Sequence, residues 1–132
     1  MKKNYLIGLL SIVMLGAILG LGFAEGADVE EYSDPTQVIR VPVGQEFVIT
    51  LAANPTTGYT WDFAVKLDEK MFQLVRADYT PNTPQLTGSG GEQMWVFKAM
   101  QTGEAEISLK YWRPWEQDDP DQKQAVFNVE IY

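Results

Sequence analysis

Apolar side chains alternate with polar ones through most of this chain after residue 36, and this period of two restricts its fold more than any other feature. In the clearest run, Ala105, Ile107, Leu109 and Tyr111 share one face, while Glu104, Glu106, Ser108 and Lys110 share the other. The same alternation predicts inward faces for Phe47, Ile49, Leu51 and Ala53, for Tyr59, Trp61, Phe63 and Val65, for Trp95, Phe97 and Ala99, and for Phe127, Val129 and Ile131. Because successive side chains of a strand point to opposite faces, these segments are predicted to be strands with one buried face.

Two weaker segments, around Val38–Arg40 and over Phe72–Tyr79, bring the predicted strands to seven. Turn signals separate the strands, and no segment has a helical period. An all-β fold follows, namely an antiparallel β-sandwich. A parallel sheet is disfavoured because its strands would be continuous apolar runs. The pattern alone leaves open an immunoglobulin-like topology, a jelly roll or another Greek key.

The N-terminal part has a different character. Residues 1–24 combine two lysines with an apolar run and the small-residue pattern Gly22-Phe23-Ala24, which predicts a signal peptide cleaved before Glu25. A retained membrane anchor is the alternative, since the run is long enough to span a bilayer. Residues 25–35 are acidic and aperiodic, which predicts a flexible tether, and 36–132 form the single domain. Either alternative predicts a secreted or extracytoplasmic protein, with membrane contact only if the segment stays uncleaved.

Composition excludes several kinds of chemistry. The chain contains no His and no Cys, so a Ser-His-Asp triad, a thiolate nucleophile and an ordinary zinc site are impossible. Beyond residue 24, eight Lys and Arg face eighteen Asp and Glu, a net charge of −10 that disfavours nucleic acid as a partner. The acidic stretch 116–121 is interpreted as a solvated loop, with Ca²⁺ binding as the alternative. We expect no catalytic residue, cofactor or metal.

Three short patches interrupt the predicted strands: Asn54, Pro55, Thr56, Thr57, Gly58 and Tyr59; Gly88, Ser89, Gly90 and Gly91; Arg113, Pro114 and Trp115. Pro55 restricts its own φ, and Gly58 accepts a positive φ, so the first patch is predicted to be a stiff prong or else an ordinary turn. The glycines of the second patch allow a partner's backbone to approach, unless they form a plain linker. Trp115 lies beyond a strand end, where it either binds a partner or caps the sandwich.

In order and spacing, these patches resemble the three binding loops of chagasin-type inhibitors of papain-like cysteine proteases. The resemblance runs from about Thr36 to the C-terminus. It implies an immunoglobulin-like sandwich with Greek-key connections, in which the three loops lie at one end. It also implies that Asn54 to Tyr59 face the catalytic Cys and His of a protease, with Thr56 and Thr57 closest. Gly88 to Gly91 would lie on the non-primed side of the cleft, and Arg113 to Trp115 on the primed side.

We therefore expect a secreted, monomeric protein that inhibits papain-like cysteine proteases reversibly by blocking the active-site cleft. The main alternative is a non-catalytic immunoglobulin-like module for adhesion or ligand binding at the cell surface. A carboxylate-based hydrolase is a third hypothesis, because paired acids can support glycoside hydrolysis.

Overall fold

The computed structural model describes residues 29–83, 86–116, 118–120 and 122–132. Eight strands form two four-stranded sheets, which pack face to face: β1 Glu30–Tyr32, β2 Ile39–Val41, β3 Glu46–Ala53, β4 Thr60–Phe63, β5 Phe72–Pro81, β6 Gly91–Ala99, β7 Gly103–Trp112 and β8 Lys123–Ile131. The strand order is β1-β3-β6-β5 in the first sheet and β2-β8-β7-β4 in the second. The predicted all-β sandwich is confirmed. No helix within the described ranges is long and apolar enough to cross a membrane.

The core lies between the two sheets and consists of the side chains that the alternation placed inward. Phe47, Phe72 and Phe97 are fully buried, and their ring centroids lie 5.5–6.2 Å apart. Ile107 and Phe127 face them from the second sheet and are also fully buried. Full burial of one such side chain contributes about 1.5–3 kcal/mol. This packing gives the loops at the ends of the strands a rigid support without any disulfide.

Each sheet also contains one pair of parallel strands at its edge, which the antiparallel prediction did not include. Strand β1 pairs in parallel with β3, and β2 pairs in parallel with β8. All other strand pairs are antiparallel. The parallel strands have only three residues each, too few for a continuous apolar run to mark them.

The N-terminal edge corrects one prediction. The segment 25–35 was expected to be a flexible tether, but Glu30–Tyr32 form β1, and this prediction is therefore wrong for the described part of the segment. Tyr32 is buried and donates a hydrogen bond from its hydroxyl to Glu30 Oε1 at 2.6 Å. Burial, together with this bond and the nearby Glu30 charge, raises the pKa of Tyr32 to about 12. The signal peptide or anchor predicted for residues 1–24 lies outside the described residues.

One detail of the predicted faces also differs. Strand β4 ends at Phe63, so Val65 lies in the following connection and is 65% exposed rather than buried. In β2 the inward residues are Ile39 and Val41, whereas Val38 is exposed.

The pairing register brings three connections to the same end of the sandwich. We call them the first loop (54–59, between β3 and β4), the second loop (82–90, between β5 and β6) and the third loop (113–122, between β7 and β8). Ala53 and Pro81, which precede the first and second loops, both pair with Gly91. Thr60 and Trp112, which bound the first and third loops, pair with each other. Because the first loop crosses from one sheet to the other, it lies between the other two.

Candidate functional site

The first loop is a single turn of 3₁₀ helix, Pro55–Thr57, held by its own side chains. Asn54 Oδ1 accepts hydrogen bonds from the Thr56 amide at 3.2 Å and from the Thr56 hydroxyl at 2.5 Å. The Thr57 hydroxyl donates to the Asn54 carbonyl oxygen at 2.6 Å. Gly58 ends the turn at φ +88°, the positive φ that the sequence predicted for it. The prong is therefore ordered in the free protein, with Pro55, Thr56 and Thr57 exposed at its tip.

The second loop lies against the first. Asn54 Nδ2 donates to the Gly88 carbonyl oxygen at 3.1 Å. Gly90 has φ +82°, and a Cβ there would lie 3.3 Å from the Ala53 carbonyl oxygen. Ser89 and Gly90 are half-buried. The glycines thus allow the second loop to pack closely beside the prong.

Gly91 differs from its neighbours. It is the first residue of β6 and is buried, and a Cβ at this position would overlap the carbonyl oxygen of Thr80. The geometry gives Gly91 a packing role in the sheet that the sequence alone did not predict.

Arg113 joins the third loop to the first from the other side. Its Nε donates to the Thr57 carbonyl oxygen at 3.1 Å, and its guanidinium lies 4.5 Å from the centre of the Tyr59 ring. Its Nη1 also forms an ion pair with Glu116 at 3.0 Å. The hydrogen bond that Arg113 donates to the Glu116 carboxylate raises the pKa of Arg113 above its already high ordinary value, so the guanidinium is always charged.

Trp115 is 69% exposed and stands over the first loop. A Cβ on Gly58 would lie 2.7 Å from Trp115 Cη2. The indole can therefore pack this closely on the first loop only because residue 58 is a glycine. Pro114 is exposed beside it. A capping role for Trp115 over the sandwich is therefore wrong, since a cap would be buried. Its exposure is typical of residues that bind a partner.

Aromatic rings support the loops from below. Tyr111 stacks on Tyr59 with ring centroids 5.2 Å apart and lies 5.0 Å from Trp61. The Asn54 amide donates to the Tyr111 hydroxyl at 2.9 Å. Tyr111 is only half-buried, and it connects the core to the prong. The sequence signal for this role was its position at the end of the best-patterned strand, next to the third loop.

The acidic stretch 116–121 also contributes more than the sequence predicted. Glu116 pairs with Arg113, and Asp119 Oδ2 accepts a hydrogen bond from the Tyr59 hydroxyl at 2.5 Å. Both acids are half-buried, so interpreting the whole stretch as a solvated run is wrong for these two residues. In the described ranges, no three acidic side chains are grouped to hold a metal ion; Gln117 and Asp121 lie outside them.

The three patches thus form one continuous edge, which we call the binding edge (54–59, 88–90 and 113–115), with the prong at its centre. What it presents is an exposed turn flanked by glycine backbone on one side and an exposed Trp on the other. Such an edge is suited to entering a groove in another protein.

Residues 40–131 match the family described as "Chagasin family peptidase inhibitor I42". The chain therefore belongs to the chagasin family, which consists of peptidase inhibitors rather than enzymes.

Individual relatives agree with this assignment. The chain is 34% identical over 93 residues to Amoebiasin-1 of Entamoeba histolytica, covering 70% of this chain and 86% of that protein. It is 35% identical over 81 residues to Chagasin of Trypanosoma cruzi, covering 58% and 73% of the two chains. The crystal structure of the cysteine protease inhibitor EhICP2 from Entamoeba histolytica shares the fold, with a TM-score of 0.61 at 21% identity over 80% of this chain and 98% of that one. These comparisons support the immunoglobulin-like sandwich and do not favour the adhesion module.

Proposed function

We infer that this protein inhibits papain-like cysteine proteases by inserting the binding edge into the active-site cleft. The observation that carries the inference is the support of the prong from both sides, by Asn54 bound to Gly88 and by Arg113 bound to Thr57. Three loops fixed to each other in this way form a wedge, whereas three independent loops would not. Membership in a family of peptidase inhibitors, and the fold shared with the cysteine protease inhibitor EhICP2, support this target class.

Inhibition would proceed by occlusion, without chemistry on either protein. A protease needs an extended peptide whose carbonyl carbon reaches the thiolate in near-attack geometry. The prong instead presents a closed turn, in which the Gly58 amide donates to the Pro55 carbonyl oxygen at 2.9 Å. Thr56 and Thr57 would approach the catalytic residues most closely, and no peptide carbonyl would be correctly placed for attack.

The flanking loops would supply affinity. The Gly88 to Gly90 stretch, in which Gly88 is exposed, would lie along the cleft wall on the non-primed side, in the manner of an added strand. Arg113, Pro114 and Trp115 would pack on the primed side, and Trp and Arg are the residue types that most often dominate interfaces. Because hydrogen bonds already hold the parts of the binding edge together, association loses less conformational freedom than it would with flexible loops. An interface of about 1,600 Å² in total is sufficient for such a complex.

We also propose that the protein acts outside the cytoplasm as a monomer, without a cofactor. The lysines and apolar run of residues 1–24 support export, through either a cleaved signal or a retained anchor. The net charge of −10 beyond residue 24 supports a soluble domain that does not bind nucleic acid.

The test is titration of active papain, and of a cathepsin-L-like enzyme, with the purified protein. The expected result is tight, reversible, one-to-one loss of activity, with the inhibitor of unchanged mass after incubation. Trypsin is the control and should keep its activity, since its cleft and nucleophile differ. The variant Thr57→Arg places a bulky side chain at the exposed tip and should weaken inhibition while the domain stays folded, with only the small loss of stability that removal of the Thr57 hydroxyl bond to the Asn54 carbonyl oxygen causes. If micromolar protein leaves both thiol enzymes fully active, the proposed function is wrong.

A further inference from the structure

The third loop is a long connection, and only its first three residues, 113–115, belong to the binding edge. It spans ten residues between β7 and β8, much longer than the usual hairpin connection. Two backbone hydrogen bonds form turns within it, from the Glu116 amide to the Arg113 carbonyl oxygen at 2.9 Å and from the Gln122 amide to the Asp119 carbonyl oxygen at 3.2 Å. These turns lie within the loop, so side-chain contacts join it to the first loop, as the bond from Arg113 to Thr57 does near its start.

Asp119 provides such a contact. Its Oδ2 accepts the hydrogen bond of the Tyr59 hydroxyl at 2.5 Å, between residues 60 positions apart in the chain. A bond from a hydroxyl to a carboxylate is charge-assisted and is among the stronger hydrogen bonds in proteins. Both side chains are half-buried, which reduces competition from water.

Tyr59 is well placed to transmit this restraint. Its ring stacks on Tyr111 at 5.2 Å and contacts the Arg113 guanidinium at 4.5 Å. It directly follows Gly58, over which Trp115 lies, and it is two residues after the exposed Thr57. A displacement of the Tyr59 hydroxyl would therefore shift residues of both the first loop and the third loop.

We propose that Asp119 is a positioning residue for the binding edge. By holding the Tyr59 hydroxyl, Asp119 joins its own position in the third loop to the first loop and sets the position of Trp115 relative to the prong before a protease arrives. The proposal rests on the proposed function, since it assigns Asp119 a part in the affinity for the protease. Asp119 itself acts through Tyr59 and needs no contact with the enzyme.

A double-mutant cycle tests this coupling. Tyr59→Phe keeps the ring and removes the hydroxyl, and Asp119→Ala removes the acceptor. Each variant should raise the inhibition constant against papain about tenfold, equivalent to about 1.4 kcal/mol. The double variant should raise it about tenfold as well, because the second change removes a bond that is already lost. Asp119→Asn retains an acceptor oxygen and should restore inhibition to within about threefold of the original protein.

A matched control separates position from charge. Asp118→Ala removes the same charge from the neighbouring, exposed residue of the same stretch. It should leave the inhibition constant unchanged. The proposal is overturned if Asp118→Ala weakens inhibition as much as Asp119→Ala does, or if the effects of Tyr59→Phe and Asp119→Ala multiply to about a hundredfold.

Hydrogen exchange tests the link without any protease. Asp119→Ala should speed exchange of the Glu116 and Gln122 amides and of the Asn54 amide, which donates to the Tyr111 hydroxyl. Amides in β6 should be unaffected. Unchanged exchange at all three loop amides would overturn the positioning role whatever the inhibition assay shows. Faster exchange in a protein that inhibits no thiol protease would instead contradict the proposed function while leaving the link between the loops intact.

Discussion

The contact between Gly58 and Trp115 allows a sharp prediction for Gly58→Ala. Gly58 has φ +88°, a conformation that costs an L-residue about 1–2 kcal/mol. The new Cβ would also lie 2.7 Å from Trp115 Cη2, whereas carbon atoms pack at about 3.5–4.0 Å, so the ring must move by about 1 Å. Since Trp115 is 69% exposed, its indole can swing outward at little cost to folding. The substitution should therefore change stability only through the backbone, but inhibition through the displaced ring.

Two other glycines serve as matched controls because they share the same backbone angle. Gly44 and Gly88 both have φ +88°, and a Cβ at either position meets nothing within 4 Å. Gly44→Ala lies away from the loops and should show the stability change alone. Gly88→Ala tests the same strain without a clash, but Gly88 belongs to the binding edge, so this variant is a control for the melting temperature only. All three variants should lose about 4–8 °C in melting temperature, the change expected for about 1 kcal/mol in a domain of this size.

The assay pairs thermal unfolding with inhibition of papain. Gly58→Ala should raise the inhibition constant about tenfold more than Gly44→Ala does, equivalent to about 1.4 kcal/mol. Equal inhibition by Gly58→Ala and Gly44→Ala would refute the reasoning, because the position of Trp115 would then have no part in affinity. A melting temperature for Gly58→Ala far below that of Gly44→Ala would refute it differently, by showing that Trp115 cannot move aside.

Three further predictions concern single side chains. Trp115→Ala should raise the inhibition constant about 30-fold or more, equivalent to about 2 kcal/mol. The melting temperature should not change, because the side chain is 69% exposed. A large fall in melting temperature would instead assign Trp115 to the core. Asn54→Ala removes the side chain that caps the prong and bonds to Gly88. The free energy of unfolding, measured in urea, should fall by about 1 kcal/mol, and inhibition should weaken. No change in either quantity would show that the cap does not order the prong. Burial raises the pKa of Tyr32 to about 12 in the folded protein, so on raising the pH the Tyr32 hydroxyl ionises first in the unfolded chain. The free energy of unfolding should therefore fall by up to about 1.4 kcal/mol per pH unit between pH 10 and 12, whereas below about pH 10 this contribution is fully present. Tyr32→Phe should lack that decline, and an identical alkaline decline in both proteins would contradict the buried position of Tyr32 in β1.

The predictable part of the fold is the part that one-sided burial enforces. A strand with one face in the core must alternate, so the inward positions of β3, β6, β7 and β8 follow from the sequence, and Phe47, Phe97, Ile107 and Phe127 are all buried as predicted. Strand β1 was missed because three residues show no periodicity, and two of them are acidic. Its pairing with β3 is a tertiary effect, in which burial of Tyr32 outweighs the polar character of its neighbours.

The features of the binding edge likewise separate into those that the sequence predicts and those that depend on tertiary structure. Pro55 and Gly58 dictate local backbone geometry, and the turn they predict is present. The link between Tyr59 and Asp119 could not be predicted, because the two residues are 60 positions apart and meet only once β4 has paired with β7. Acidic residues in a loop are ordinarily solvated, so nothing in the sequence distinguished Asp119 from Asp118. The convergence of the three loops at one end is predictable only in part. It follows from the strand topology, but only once the sandwich fold is known.

Occlusion of the protease cleft by the binding edge is most directly measured as the rate at which iodoacetate alkylates the catalytic thiol of papain. Saturating amounts of the protein should slow alkylation to the rate set by dissociation of the complex, and Trp115→Ala should speed it at the same concentration. Alkylation at the rate of free papain, while the two proteins remain bound to each other, would show that the edge lies elsewhere on the enzyme.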